Sequence, residues 1–135
     1  MADAGARRDR DGGERAPARP SRAHVLREVL AGLSGVPAVR GGLLVTPDGL
    51  IIASDLPARD QVEALAALGA ALGRELELGA ARLGRGAFRM ALFFADRGLL
   101  FVGSSRIGFL ILLGEKGVDV ASVRVALGRA LDRLR

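Results

Sequence analysis

The sequence predicts an α+β fold of three layers, α/β/α, in which a five-stranded antiparallel sheet carries helices on both faces. Two short apolar runs flank Thr46-Pro47-Asp48-Gly49, and Asp-Gly between such runs is a strong β-hairpin signal because glycine tolerates positive φ. Three further apolar runs follow between residues 87 and 113, separated by short polar turns. Three stretches with helical periodicity complete the order α-β-β-α-β-β-β-α.

The composition predicts one domain preceded by a tail. Residues 1 to 20 contain five arginines and four acidic residues, and no large apolar residue follows Met1. Such a segment cannot bury enough apolar surface to offset the entropy lost on ordering. We therefore expect a disordered tail over residues 1–20 and a folded domain over residues 21–135.

The first helix and the hairpin have clear local signals. Ser21 is a candidate N-cap, and Gly35 and Pro37 end the helix that follows it. The apolar stripe of this helix consists of Val25, Leu26, Val29, Leu30 and Leu33. The hairpin is expected over about residues 39 to 54.

The second helix is expected from residue 58 or 60 to the low eighties, with Asp60 as a candidate N-cap. It is apolar or small on nearly every side, and such a helix must be covered on more than one face. A chain of this size has one layer to offer on each side of its sheet, so a second copy is the expected cover. We expect the large side (Val62, Leu65, Leu68, Leu72, Leu76) to face the sheet. The side with small residues (Ala64, Ala67, Ala71, Leu78) would face the copy.

Three strands and a helix complete the domain. The strands are expected over residues 87–95, 99–104 and 107–113. The last two are almost continuously apolar, which is typical of strands covered on both faces. The third helix is expected from Val118 or Asp119 to Leu134. Its apolar stripe consists of Val120, Val123, Leu127, Leu131 and Leu134.

The sequence offers no residues for catalysis, a cofactor or a metal ion. There is no cysteine, and His24 is the only histidine, so neither a catalytic triad nor a two-histidine metal site can form. The phosphate-binding pattern GxxxxGK[ST] is absent, and Gly84-Arg85-Gly86 lacks the third glycine of a dinucleotide loop. We therefore do not expect an enzyme.

Charge and hydropathy limit which partners and which cellular location the sequence predicts. The net charge is +5, and the basic residues are arginines except for Lys116. Abundant alanine and glycine and the lack of asparagine indicate a GC-rich bacterial genome, so the charge does not predict a nucleic acid partner. The apolar run 107–114 is too short to span a bilayer, which takes about 20 residues. With no signal-peptide core at the start, we expect a cytoplasmic protein without a membrane span.

Several segments together resemble the Roadblock/light-chain family, and its bacterial MglB-like members in particular. They are the hairpin LLVTPDGLIIAS, the alanine-rich second helix and the strands FRMALFFADRGLLFVGSS, and the resemblance covers about residues 22–134. It implies a Roadblock/longin-like fold and a homodimer, in which the third strands pair edge to edge and the second helices pack together. The residues placed in that interface are Ala64, Ala67, Ala71, Leu78, Phe88, Met90 and Leu92.

The same resemblance implies a partner. Bacterial members of this type bind Ras-like GTPases and stimulate GTP hydrolysis by remodelling the GTPase. The alternative is a scaffold or a sensor-kinase partner without effect on hydrolysis. The exposed polar positions of the second helix are our candidates for the contact: Gln61, Glu63, Arg74, Glu75 and Glu77.

Overall fold

The computed structural model describes residues 21–57 and 60–135. Within them the chain forms the predicted succession of helices and strands. The elements are α1 (Arg22–Ser34), β1 (Val39–Val45), β2 (Ile51–Ser54), α2 (Val62–Arg82), β3 (Met90–Ala95), β4 (Gly98–Ser105), β5 (Gly108–Glu115) and α3 (Val120–Arg133). The tail predicted over residues 1–20 lies outside the described residues.

The five strands form one antiparallel sheet in the order β2-β1-β5-β4-β3. Helices α1 and α3 cover one face, and α2 covers the other. Along the central strand β5, Phe109 and Ile111 point to the α2 face, and Leu110 and Leu112 point to the opposite face. All four are at most 1% exposed, which explains why this strand is continuously apolar. The predicted three-layer α+β fold is confirmed.

Two of the three helices begin with a side-chain cap. The hydroxyl of Ser21 accepts a hydrogen bond from the backbone N–H of His24 at 3.1 Å, so this prediction is confirmed. A carboxylate oxygen of Asp119 accepts from the N–H of Ala121 at 3.1 Å and of Ser122 at 3.4 Å. Both caps satisfy N–H groups that a helix start leaves without a partner.

The prediction that Asp60 caps α2 is wrong. Gln61 occupies the N-cap position with a φ of 54° and without a side-chain hydrogen bond. The carboxylate of Asp60 instead accepts two hydrogen bonds from the guanidinium group of Arg40, at 2.6 and 3.0 Å. A paired ionic contact of this kind is stronger than a cap to a neutral N–H group, and Arg40 is 20 positions away in the sequence.

The prediction that the leucine side of α2 packs on the sheet is also wrong. The buried residues of the helix are Ala66, Gly69, Ala70 and Gly73. A Cβ atom added to Gly73 would lie 2.6 Å from the ring of Phe109, and one added to Gly69 would lie 1.9 Å from Cδ1 of Ile111. The helix therefore lies closer to the sheet than leucines would allow. Leu65 and Leu72 are half-buried at its flank, and Leu68 is 50% exposed.

We predict that Gly73→Ala destabilises the domain by about 1–3 kcal/mol, because the new methyl group overlaps a ring held in the core. Gly128→Ala in α3 is the matched control, since a Cβ there meets nothing within 4 Å. It should raise stability by about 0.5–1 kcal/mol through the helix preference of alanine. Urea unfolding followed by circular dichroism measures both. Equal shifts in the two variants would contradict the close packing of α2.

We predict that Asp119→Ala lowers the melting temperature at neutral pH. Hydrogen bonds from Ser122 hold the pKa of the Asp119 carboxyl group below its ordinary value of 3.8. A lowered pKa means that the stabilisation is present above pH 3.8 and is lost as the pH falls through the folded-state value. The gap between wild type and variant should therefore close in acid. Asp132→Ala, at an exposed pair with Arg135, serves as the control and should show little effect at either pH.

Candidate interaction surface

Strand β3 forms an open edge of the sheet in the described chain. The backbone N–H of Ser104 donates to the carbonyl oxygen of Arg89 at 2.9 Å, so the polar groups of Arg89 point toward β4. Backbone groups alternate in direction along a strand. The N–H and C=O groups of Met90, Leu92 and Phe94 therefore point away from the sheet, toward the open edge.

The side chains of β3 are apolar on both faces. Phe93 packs against the core on the α2 side, and Met90 and Leu92 pack against the core on the α3 side. Phe94 is 73% exposed. Natural edge strands are usually protected by a charged residue, a proline, a bulge or very short length. The sequence MALFFA contains neither a charged residue nor a proline. Its pairing with β4 is regular over all six residues, so it has no bulge. This edge can accept another strand.

An apolar groove of about 490 Å³ lies beside α2, above the outer half of the sheet. Its walls are the flank of α2 and the strands β3, β4 and β5. The apolar side chains that line it are Leu65, Leu68, Leu72, Phe93, Ala95, Leu99, Leu100 and Leu113. The groove exists because α2 packs on β1 and β5 through its small residues and leaves its leucines beside the contact. It adjoins the open edge of β3.

A charged cluster holds the end of the groove where α2 begins. Arg40 on β1 binds Asp60 at 2.6 Å and Glu115 on β5 at 2.8 Å. Hydrogen bonds to Asp60, and then to Glu115, raise the pKa of the Arg40 guanidinium group above its ordinary value. The cluster fixes the first turn of α2 to two strands. Sequence analysis missed it, because the three residues are far apart in the chain.

The residues predicted for a dimer interface fall into two groups. Phe88, Met90 and Leu92 are half-buried at or next to the open edge. The residues predicted on α2 are exposed on the surface of the helix that points away from the sheet: Ala64, Ala67, Ala71 and Leu78. The residues of α2 that line the groove are Leu65, Leu68 and Leu72, which belong to the side that the sequence predicts beneath the helix.

The structure does not bring the five predicted partner-contact residues into one patch. Glu63 and Arg74 lie on the same side of α2, because eleven residues are close to three helical turns, and Arg74 donates to the carbonyl oxygen of Pro47. Glu77 accepts a hydrogen bond from the hydroxyl of Ser104 at 3.1 Å. Glu75 is exposed beside Arg74, about 100° further round the helix, and Gln61 precedes its first turn.

A metal centre or a membrane span would be another kind of site in residues 21–57 and 60–135. No group of three or more histidine, cysteine, aspartate or glutamate side chains within these ranges could hold a metal ion. No helix in the described part of the chain is long and apolar enough to cross a membrane. His24 lies 3.2 Å from Glu28 on the exposed side of α1.

Solved structures with the same fold are Roadblock/LC7 domains. The chain superimposes on the Roadblock/LC7 domain from Streptomyces avermitilis with a TM-score of 0.71, at 24% identity over 78% of this chain and 90% of that one. It superimposes on the gliding protein MglB from Thermus thermophilus with a TM-score of 0.73, at 23% identity over 82% and 85%. The described chain therefore has the Roadblock/LC7 fold. Within that fold it is similar to MglB, as the sequence resemblance predicted.

Two further comparisons extend this result. For MglB from Myxococcus xanthus the TM-score is 0.76, at 17% identity over 88% of this chain and 91% of that one. Two uncharacterised proteins of Methanocaldococcus jannaschii are 28% and 27% identical over 107 residues, which is 79% of this chain and 94% of each of them. No family model matches the sequence.

Proposed function

We propose that the chain forms a homodimer that regulates a small Ras-like GTPase in the cytoplasm and has no catalytic residues of its own. The observation that carries the proposal is the adjacency of the open β3 edge and the apolar groove beside α2. A second copy related by a two-fold axis would cover both features at once, because an isologous interface uses the same patch on each subunit.

The strand edge limits how two copies can pair. In an antiparallel pair, directly opposite residues point to the same face of the sheet. An axis through Leu92 would place Met90 opposite Phe94 of the copy, and Ala91 opposite Phe93 of the copy. Each pair joins residues on the same face, and the second joins a small residue to a large one. The exposed ring of Phe94 would then lie against an apolar neighbour.

The groove predicts how the helices meet. Once the β3 strands pair, α2 of the copy lies on the same face of the extended sheet. The flank with Leu65, Leu68 and Leu72 then faces the corresponding flank of the copy. The interface that we propose therefore consists of this leucine flank and strand β3. Ala64 and Ala71 lie at its border on the neighbouring side of the helix.

We predict that Leu68→Glu dissociates the dimer without unfolding the domain. Leu68 is already 50% exposed in the single chain, so the fold tolerates a charge there, whereas a dimer would bury two like charges close together. Ala81→Glu is the control, since Ala81 is exposed on another side of α2. Sedimentation equilibrium at micromolar concentration should give a monomer for Leu68→Glu and a dimer for Ala81→Glu.

Ala71→Glu separates the two possible interfaces on α2. Dissociation by Ala71→Glu but not by Leu68→Glu would assign the interface to the alanine side that the sequence predicted. A wild-type protein that stays monomeric at high concentration would contradict the dimer itself.

Similarity of fold to MglB and the sequence resemblance both support a GTPase as the partner. A regulator without an active site can change the hydrolysis rate only by binding one arrangement of the GTPase switch loops more tightly than others. In the proposed dimer the outward surface of α2 remains uncovered. It carries Ala67 and Leu78 together with the charged residues Glu63, Arg74 and Glu75. Two copies of this surface would lie side by side.

We predict that the dimer binds the GTP-loaded form of its GTPase and accelerates single-turnover GTP hydrolysis. The double variant Arg74→Glu with Glu75→Arg should weaken this effect while it stays dimeric, because it reverses exposed charges on the proposed contact. Arg129→Glu, on α3 at the opposite face, should act as wild type. Equal hydrolysis rates with and without the protein, and no complex by size exclusion, would favour the scaffold or sensor-kinase partner instead.

A further inference from the structure

A second concave surface lies on the other face of the sheet, between α3 and the edge strand β3. Helix α3 covers β4 and β5, and no helix of the described chain covers β3 on this side. Two clefts of about 310 and 400 Å³ follow each other along α3. Leu127 lines the first and Leu131 lines the second, one helical turn further on. We call this continuous surface the α3 channel.

The floor of the first cleft is apolar and consists of Met90, Leu92 and Phe101. The second cleft is mixed, since Ser104 and Ser105 line it together with Phe88 and Leu131. Met90 and Leu92 are half-buried rather than covered. Phe94 continues the same side of β3 and is 73% exposed. Partly exposed apolar side chains that lie next to each other, rather than singly, are typical of interaction surfaces.

Arginines line the channel along its length. Arg124 borders the first cleft, and Arg89, Arg106 and Arg135 border the second. Asp132 is the one carboxylate among the described lining residues, and it lies 3.1 Å from Arg135. Arg89, Arg106 and Arg124 have no carboxylate within ion-pair distance in the described chain. Three guanidinium groups thus remain available to a ligand.

The sequence around the channel is strongly one-sided in charge. Between Glu77 and Glu115 the only acidic residue is Asp96, which lies in the turn at the far end of β3. Elsewhere on the domain some arginines are paired, as Arg40 is with Asp60 and Glu115, and others are exposed without an ion pair in the described chain, as Arg129 is. What distinguishes the channel is that its unpaired arginines border clefts with apolar side chains.

We propose that the α3 channel binds an acidic amphipathic helix of a protein partner. Its apolar face would lie on Met90, Leu92 and Leu127, and its carboxylates would meet Arg89, Arg106 and Arg124. A helix fits because it would fill the place that no helix occupies above β3, next to α3. The tail over residues 1–20 does not fit, since it carries five arginines and no large apolar residue after Met1. The channel lies on the face of the sheet opposite the groove beside α2, and it adjoins the proposed dimer contact at Met90 and Leu92 of β3.

The probe is a fluorescein-labelled synthetic helix of about 14 residues, the length that matches α3 at 1.5 Å per residue. It carries leucines at i, i+3, i+4 and i+7 and glutamates at the flanks. A counterpart has lysine in place of every glutamate. Fluorescence anisotropy should show saturable binding of the glutamate peptide, weakened by added salt, and no binding of the lysine peptide. Equal binding of both peptides would overturn the proposal.

The triple variant Arg89→Glu, Arg106→Glu, Arg124→Glu should weaken peptide binding by at least about tenfold, because opposite charges are replaced by like charges across the contact. The matched control is Arg22→Glu, Arg27→Glu, Arg129→Glu, which makes the same charge change at exposed residues outside the channel. It should retain binding within about twofold, as expected for charges remote from the contact. An equal loss in both variants would show non-specific attraction and overturn the proposal.

Two further measurements keep the result decisive. Circular dichroism and sedimentation of the triple variant should match those of the wild type, which separates a lost site from a lost fold or dimer. If the triple variant does not fold, the single variants Arg124→Glu and Arg129→Glu are compared instead, since each reverses one charge on α3. Equal peptide binding by these two variants would overturn the proposal. A labelled single-stranded DNA that binds more tightly and displaces the peptide would assign the channel to nucleic acid and overturn it as well.

Discussion

The close contact between α2 and the sheet is the constraint on which the other features of this protein depend. Gly69 and Gly73 have no Cβ atom, and a methyl group at either position would overlap Ile111 or Phe109. Two glycines inside a helix reduce its intrinsic stability, so the packing that they permit must compensate for this. The helix packs close to β1 and β5, and its leucines remain beside this contact. The apolar groove above the outer strands is a consequence of that packing.

The two edges of the sheet differ in how readily each could accept a further strand. Strand β2 has only four residues, and its pairing with β1 is irregular next to Val45. Short length and a bulge are common means of preventing an edge from accepting further strands. Strand β3 is longer, regular and apolar on both faces. Because the groove lies beside β3 and not beside β2, the favourable strand edge and the favourable helix surface coincide.

The charges follow the same division. Arg40 is held by Asp60 and Glu115 and fixes the start of α2, so it serves the architecture. The arginines of the α3 channel have an apolar floor between them and few internal partners. The domain therefore presents an apolar groove beside an open strand edge on one face of the sheet, and arginines around apolar side chains on the other. In the proposed dimer, the helix of a partner would lie on the face opposite the groove.

The sequence by itself determined the order and type of the elements, because their signals are local. Ser21 caps a helix whose stripe repeats every three to four residues, Asp48-Gly49 closes a hairpin, and the apolar runs set the strands. The fold followed from these signals, and so did the resemblance to Roadblock domains. The position of the edge strand at β3 followed from the resemblance as well.

The tertiary structure alone decided which side of α2 faces the sheet and what Asp60 binds. Several sides of α2 are apolar, so periodicity could not select the side with Gly69 and Gly73; the bulk of Phe109 and Ile111 on a distant strand made that selection. Asp60 is placed to cap α2 locally, but it instead accepts two hydrogen bonds from Arg40, 20 positions away in the sequence. In both cases the deciding partner is far away in the sequence, and only folding brings it into contact.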